Sequence, residues 1–239
     1  MKFIDLTLQS PEQNVAFDEA LINECEDGFG DEILRFWEPR DYFVVLGYSS
    51  KVHAEVNVDS CRNSAIPILR RYSGGGTVVQ GPGCLNCSLV LKTHASGPLS
   101  NIAGTNSFIM RRHIQALQPF VEELIDVGGY TDLTIRHTKF SGNSQRRRQR
   151  FLLFHGTFLL RFDISIVEKL LLLPEKQPLY RNNRSHTAFL TNLTVSPHII
   201  KEALQKEWNA CEHLRSIPVE RIDRLVKDRY ASPGWTFRL

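Results

Sequence analysis

The residues best suited to chemistry lie in one run, Arg70-Arg71-Tyr72-Ser73-Gly74-Gly75-Gly76-Thr77, where two arginines and three consecutive glycines follow an apolar segment. Glycine reaches positive φ and carries no Cβ, so such a turn can aim successive backbone N–H groups into one concavity and let a bulky group lie against the chain. Arg70 and Arg71 add fixed positive charge, and a guanidinium offers phosphate or carboxylate a planar fork of donors. The flanking "AIPIL" and "TVVQ" have the character of strands. The pattern describes an anion-holding loop, and it describes equally a glycine-rich hairpin turn with two solvated arginines.

Three further arrangements carry chemical potential. Gly81-Pro82-Gly83-Cys84-Leu85-Asn86 is a second tight turn, whose Asn86 suits either a ligand's polar edge or the local backbone of a hairpin. Lys139-Phe140-Ser141-Gly142-Asn143 places a lysine at the end of a β-rich run, fit to present a cation to a phosphate or an activated carboxyl oxygen, or to sit in a surface turn. His155-Gly156 interrupts the β-prone "FLLFHGTFLL". A strand-centre glycine makes room for a close neighbour, and the histidine suits acid/base work, the positioning of a partner, or a satisfied core site.

Other features exclude as much as they propose. The run Arg146-Arg147-Arg148-Gln149-Arg150 falls in an expected turn without interleaved aromatics, which favours a solvated or ligand-facing loop over nucleic-acid binding. Cys84 and Cys87 have the C-x-x-C spacing, but no second pair or spaced histidines complete a tetrahedral zinc set. The five cysteines are odd in number and scattered, which fits reduced thiols. No stretch approaches the ~20 apolar residues of a membrane span, and "MKFIDLTLQS" lacks the apolar region of a signal peptide, so the expected setting is cytoplasmic. The net charge of +3 is too small to indicate nucleic acid.

These residues need a scaffold, and the chain of 239 residues is long enough to bury a sizeable core. Ser10 as N-cap and Pro11 at the first helical position predict an amphipathic helix over 11–26. "ILRFW" and "YFVVLGY" read as paired strands, "CLNCSLVL" as a half-buried strand, and "TDLTIRHTKFSG" as a hairpin. Helices are expected over 105–117 and 164–173, with two more in the tail, and a short one closing at 60–64. Strands and helices mix without regular βαβ alternation, which predicts an α+β fold in one domain over 1–239.

In their order and spacing, "RRYSGGGTVVQGPGCLNCSL" and "KFSGNSQRRRQRFLLFHGTFLL", with the earlier "NVAFDEAL" and "LRFWEPRDYFVVLGYSS", resemble the lipoate-protein ligase family over residues 1–195, leaving C-terminal helices over 196–239. The resemblance implies a mixed sheet flanked by helices, similar to biotin protein ligases and class II aminoacyl-tRNA synthetases. It implies ATP and Mg2+ as cofactors, lipoate as substrate, and transfer through lipoyl-adenylate to a lysine of a lipoyl domain, in 2-oxoacid dehydrogenase complexes or the glycine cleavage H protein. Lys139 would touch the acyl carbonyl and the α-phosphate. Arg70, Arg71, Ser73, Gly74, Gly75, Gly76, Asn86, Ser141, Gly142, His155, Gly156 and Thr157 would line the acyl-adenylate pocket, and Asp132 would stand near magnesium. Many family members carry a further C-terminal domain, sometimes as a separate protein, so a partner for activation is expected. Alternatives are ATP-independent octanoyl or lipoyl transfer through a cysteine, for which Cys84 is a candidate, and a non-catalytic acyl- or nucleotide-binding module. Biotin attachment disagrees with Arg-Arg-x-Ser-Gly-Gly-Gly.

Overall fold

The computed structural model describes residues 1–239. Its eleven strands are β1 (Lys2–Asp5), β2 (Ile33–Trp37), β3 (Phe43–Leu46), β4 (Ile68–Arg70), β5 (Val78–Gln80), β6 (Cys84–Lys92), β7 (Ile125–Gly128), β8 (Asp132–Ile135), β9 (Thr138–Arg147), β10 (Phe151–Leu159) and β11 (Glu212–His213). Eight form a mixed sheet in the order β11-β1-β2-β6-β10-β9-β8-β7, and three form a smaller sheet, β4-β3-β5. Helices flank the large sheet, and the α+β expectation agrees with this architecture. No helix is long and apolar enough to cross a membrane.

Local signals account for several elements. Helix Pro11–Glu24 starts with a full capping box, in which the Ser10 hydroxyl accepts from the Gln13 backbone and the Gln13 side chain accepts from the Ser10 N–H. The β8–β9 hairpin turns at Arg136 and His137, both at positive φ, as a two-residue turn matched to strand twist requires. Other elements depart from expectation. "ILRFW" and "YFVVLGY" are strands but not partners: β2 pairs with β1 and β6, whereas β3 pairs with β4 and β5. Helix Pro11–Glu24 is buried continuously from Asn14 to Ile22, so it is an enclosed helix and not an amphipathic one. Strand β6 is central and buried from Cys84 to Leu91, where one wet face was expected.

Alternation along the large sheet divides the interior. On one face Leu34, Phe36, Leu85, Leu89, Leu152, Phe154 and Phe158 pack against helices Ile102–Leu117 and Pro197–Glu207. On the other, Ile33, Trp37, Val90, Phe151 and Leu153 meet helix Pro11–Glu24. A third cluster joins the small sheet to helix Ser165–Leu170.

The first core encloses an unusual group. His113 is 1% exposed and sits among Phe154, Phe158 and Trp208, with ring centroids 6.0 to 6.3 Å away and neither ring nitrogen hydrogen-bonded. Burial pushes its pKa from 6.5 down to about 4, and Arg112 acts in the same direction. The unfolded chain takes up this proton near its ordinary pKa and the folded chain only near 4, so stability falls as pH drops through that window. Replacing His113 by Phe is expected to remove about 2 kcal/mol of the stability lost between pH 7 and pH 4.5. Urea unfolding at pH 7 and pH 4.5 measures it, and an equal pH dependence in both proteins would contradict the assignment.

Candidate active site

The second face of the large sheet changes character midway. In its middle the aliphatic pattern gives way to Arg35 on β2, Asn86 and Ser88 on β6, His155 and Thr157 on β10, and Ser144 and Gly142 on β9, neighbours in the strand register. Between Leu133 and Thr134 the β8–β9 register shifts by one residue. The shift is a bulge at Phe140, and it turns Lys139 to the same face as Gly142 and Ser144. Gly142 then leaves room for that lysine, because a Cβ there would lie 2.5 Å from Lys139 Nζ.

One buried carboxylate organises this face. Asp18 accepts from Arg35 Nη1 at 2.6 Å and from the Ser88 hydroxyl at 2.9 Å, and lies 2.7 Å from His155 Nδ1. Burial alone raises the Asp18 pKa, but Arg35 and His155 together hold it below the ordinary value. Arg35 is fully buried, also donates to the Asn14 carbonyl and side chain, and stacks 4.3 Å from the Phe17 ring centroid. On its far side His155 Nε2 lies 2.6 Å from Ser73 Oγ, which also lies 2.9 Å from Ser144 Oγ and accepts from Arg71 Nε. With an ionised Asp18 the imidazole carries its proton on Nδ1, and Nε2 accepts from Ser73. A chain of hydrogen bonds thus runs from Arg35 through Asp18 and His155 to Ser73.

Ser73 belongs to the glycine loop, which is not a hairpin. Strands β4 and β5 lie on opposite edges of the small sheet, so residues 71–77 cross over the end of β3. The crossing is close: a Cβ on Gly47 would lie 1.8 Å from the Gly75 carbonyl oxygen. Gly75 has φ of 85°, while Gly74 and Gly76 have open space where a Cβ would project. Arg71 holds the loop from inside, donating to the Val45, Gly74 and Gly76 carbonyls. Burial lowers its pKa to about 10, with Glu55 opposing, so it stays cationic at neutral pH. Glu55 also accepts from the Thr77 backbone and hydroxyl at the loop's exit.

Arg70 does different work from the pocket role expected of it. It is fully buried, and its guanidinium donates to the carbonyls of Gly47, Tyr48, Ser50 and Thr236. It ties the segment after β3 to the C-terminal turn and lies outside the cavity lining.

Loop and sheet enclose a cavity of about 530 Å³, a size ordinary for small-molecule sites. Arg71, Gly75, Gly76, Asn86, Asp132, Lys139, Ser141, Gly142, His155, Gly156 and Thr157 line it, together with Asp18, Glu55, Gln80 and Ser144. Ser73 is fully buried behind the lining and reaches it through His155 and Ser144, and Gly74 also lies outside. Asn86, Gln80 and Thr157 close a triangle of hydrogen bonds 2.6 to 2.9 Å long. A Cβ on Gly156 would lie 1.9 Å from the Asn143 side-chain oxygen, the close neighbour that a strand-centre glycine admits. Val15, Trp37, Val45 and Val78 bring the second core to the lining, and Phe162, Val167 and Leu171 bring the third.

Lys139 Nζ lies 2.8 Å from Asp132 Oδ1, and the Tyr180 hydroxyl donates to Asp132 Oδ2 at 2.7 Å. Burial, reinforced by this carboxylate, pushes the Tyr180 phenol well above its ordinary range. Both Asp132 oxygens are engaged, and no group of three or more His, Cys, Asp or Glu side chains is arranged to hold a metal. In this structure Asp132, where magnesium was expected nearby, is the ion partner of Lys139 and is restrained by Tyr180. The C-x-x-C pair is unsuited to metal: in a strand its members face opposite sides, Cys87 in the first core and Cys84 in the third. Burial raises the Cys84 thiol to about 12, and Cys87 higher still.

Asp18, Arg35, Ser88, Gln80, Glu55 and Tyr180 were not anticipated from sequence. Asp18 and Glu19 inside the otherwise apolar stretch Val15–Ile22 were the available signal, since carboxylates are buried there only with partners. Glu19 finds Arg229 and Tyr230.

A mixed sheet whose polar face closes against a glycine loop, with a lysine turned inward by a bulge, defines an α+β domain built around an enclosed small-molecule site. Residues 10–208 match the lipoyl protein ligase A/B catalytic domain, and the chain belongs to that family. An Aeropyrum pernix protein assigned as a lipoate-protein ligase A is 31% identical over 241 residues, covering 95% of this chain and 88% of that protein. Octanoyltransferase LipM of Anoxybacillus flavithermus is 22% identical, covering 99% and 98%. Among solved structures, the bi-partite lipoate protein ligase of Thermoplasma acidophilum superposes with a TM-score of 0.83 at 23% identity over 99% of this chain and 96% of that one. A lipoate-protein ligase A bound with ATP gives 0.78 at 23% identity, covering 99% of each chain.

Two substitutions test this construction. Asp18→Ala strands the buried Arg35 charge and is expected to cost about 3–5 kcal/mol of stability, well above Ser73→Ala, in denaturant titrations. Gly47→Ala must displace the glycine loop and is expected to weaken binding of an acyl-adenylate analogue at least about tenfold by calorimetry, each 1.4 kcal/mol of lost contact being tenfold. Unchanged affinity would show that the loop's position does not matter.

Proposed function

We propose that this enzyme is a lipoate-protein ligase that activates lipoate with ATP and passes the lipoyl group to a lysine of a lipoyl domain. The observation that carries this reading is Lys139, turned by a bulge into a cavity whose opposite wall is a glycine loop. A carboxylate is a poor acyl donor. Its oxygen attacks the α-phosphorus of ATP, pyrophosphate leaves, and the mixed anhydride then offers AMP as leaving group to the acceptor amine, whose proton is lost as the amide forms.

In this scheme the acyl chain lies against Val15, Trp37, Val45 and Val78, and the nucleotide occupies the end bearing Asp132 and Lys139. Lys139 leaves Asp132 to touch the acyl carbonyl oxygen and the α-phosphate, where negative charge develops. Loop backbone at Gly75 and Gly76 receives the ligand, and Asn86, Ser141, Gly142, Gly156 and Thr157 shape the wall opposite. Ser73 and His155 keep the loop in place. Arg71 holds its shape, while Arg70 supports its base. ATP brings its own magnesium as counter-ion to the phosphates, and no protein carboxylate cluster is needed for it.

Relatives supply the support for substrate and partner. A Thermoplasma acidophilum neighbour was solved with lipoic acid, a lipoate-protein ligase A with ATP, and the bi-partite Thermoplasma acidophilum ligase with its E2 lipoyl domain. A relative named lipoate-protein ligase A subunit 1 is 26% identical over 98% of this chain, which supports a separate accessory subunit for activation. The acceptor class is the lipoyl domain of 2-oxoacid dehydrogenase complexes or the glycine cleavage H protein.

The LipM relatives favour one other reading, ATP-independent octanoyl transfer. That chemistry needs a cysteine nucleophile. No cysteine lines the cavity, Cys84 and Cys87 are buried with raised thiols, and the exposed Cys211 lies elsewhere.

Incubation of the enzyme with labelled lipoate, labelled octanoate or a labelled octanoyl acyl-carrier-protein thioester and an apo lipoyl domain, with and without ATP and an accessory subunit, separates the two. Labelling that needs ATP supports ligation, and ATP-independent labelling from an acyl carrier thioester overturns it. Lys139→Ala is expected to lower adenylate formation by at least about 10²-fold, as removal of a transition-state charge partner does elsewhere.

A further inference from the structure

A cluster of four cations with one carboxylate partner among them stands beside the glycine loop. The guanidinium carbons of Arg146, Arg148 and Arg229 lie 4.4, 5.4 and 5.6 Å from the Tyr72 ring centroid. Arg229 and Arg238 lie 4.6 and 3.9 Å from the Trp235 ring, and Arg238 stacks on Tyr48 at 4.1 Å. Four arginines from three separate segments therefore share three rings. Of the four, Arg229 alone has a carboxylate partner, Glu19. Arg148 donates to the Asn23 side chain and Arg238 to the Tyr48 carbonyl, both neutral. The buried Nε atoms of Arg146 and Arg238 have no hydrogen-bond partner.

Three uncompensated guanidiniums packed this closely repel one another, because their separations are on the order of one Debye length, roughly 8–10 Å at physiological salt. Stacking on aromatic faces holds them in place and desolvates one side of each, without neutralising any. In a chain of net charge +3 this concentration is local, and it is the arrangement that an anionic partner surface would relieve.

We infer that this arginine–aromatic patch docks the acidic face of the protein domain that carries the acceptor lysine, an inference that rests on the acyl-transfer reading above. Position selects that occupant. Tyr72 is the residue before Ser73, and Arg146 follows Ser144 on the same face of β9, so the patch borders the glycine-loop end of the cavity. An acceptor lysine must bring its amine to within about 3–3.5 Å of the acyl carbon, which requires the body of its domain to cover this rim. The patch arginines do not line the cavity, and the nucleotide end at Lys139 and Asp132 is built from other residues. Aromatics interleaved with arginines also have the composition of a protein–protein hot spot.

The test reads transfer from preformed lipoyl-adenylate to an apo lipoyl domain of net negative charge. It compares the wild type with the Arg148→Glu, Arg238→Glu double variant and with the milder Arg148→Gln, Arg238→Gln pair. The expected result is a KM for the domain raised at least tenfold by charge reversal and less by neutralisation, with kcat nearly unchanged. Raising salt from 50 to 300 mM increases the wild-type KM steeply and the reversed variant's little. Adenylate formation from lipoate and ATP stays at the wild-type rate in every variant. An unchanged KM overturns the proposal, as does slowed adenylate formation with KM intact, which would assign the patch to the nucleotide's phosphates. If the wild type transfers nothing, the acyl-transfer reading fails by itself. Calorimetric titration of the apo domain then decides the patch, with tighter binding by the wild type supporting it and equal binding by the reversed variant overturning it.

Discussion

The arrangement of the site depends on one buried carboxylate. Asp18 is held among Arg35, Ser88 and His155, and those partners come from β2, β6 and β10 while Asp18 itself comes from helix Pro11–Glu24. A carboxylate this deep is stable only with partners on every side, and the same partners are fixed by needing it. The helix, three central strands and the glycine loop are thereby brought into one alignment. A polar cluster inside a sheet face costs desolvation energy, and the return here is placement, since aliphatic packing would tolerate small slips that this set of hydrogen bonds does not.

Around that anchor, glycine appears where two objects must occupy nearly the same space. Gly47 lets the loop cross the end of β3, Gly142 lets Lys139 fold back over its own strand, and Gly156 receives the Asn143 side chain. The arginines follow a similar logic. Arg70 and Arg71 are adjacent in sequence and point to different tasks, one binding carbonyls beneath the loop and the other carbonyls within it. Fixed cationic donors suit this work because a guanidinium can satisfy several carbonyls at once.

Much of the architecture was legible from local chemistry. Ser10 and Pro11 announce a helix start, and the positive-φ turn at Arg136-His137 follows two β-prone runs. Strand partnership was not legible for β2 and β3, because pairing is chosen by distant segments and both runs are β-prone. The family motifs brought Lys139, His155 and the glycine loop together. They did not reveal the bulge at Phe140, which depends on register across two strands, nor Asp18, whose role appears only when His155 is opposite it. The charge of Arg70 suggests a ligand, whereas its burial places its donors on backbone carbonyls.

The cavity lies along the join between two sheets that share no ladder. Its floor is the large sheet, its roof the small one with the glycine loop, and the bonds across are made by side chains: Gln80 to Thr157, Asn86 to Gln80, Ser73 to His155. Widening this seam requires a few side-chain hydrogen bonds and some packing to give way, and leaves every strand ladder intact. The aperture of the pocket is thus set by side chains, the three hydrogen bonds together with the apolar packing of Phe43, Val45 and Leu69 against Ile33, Trp37 and Val90, and not by any strand ladder.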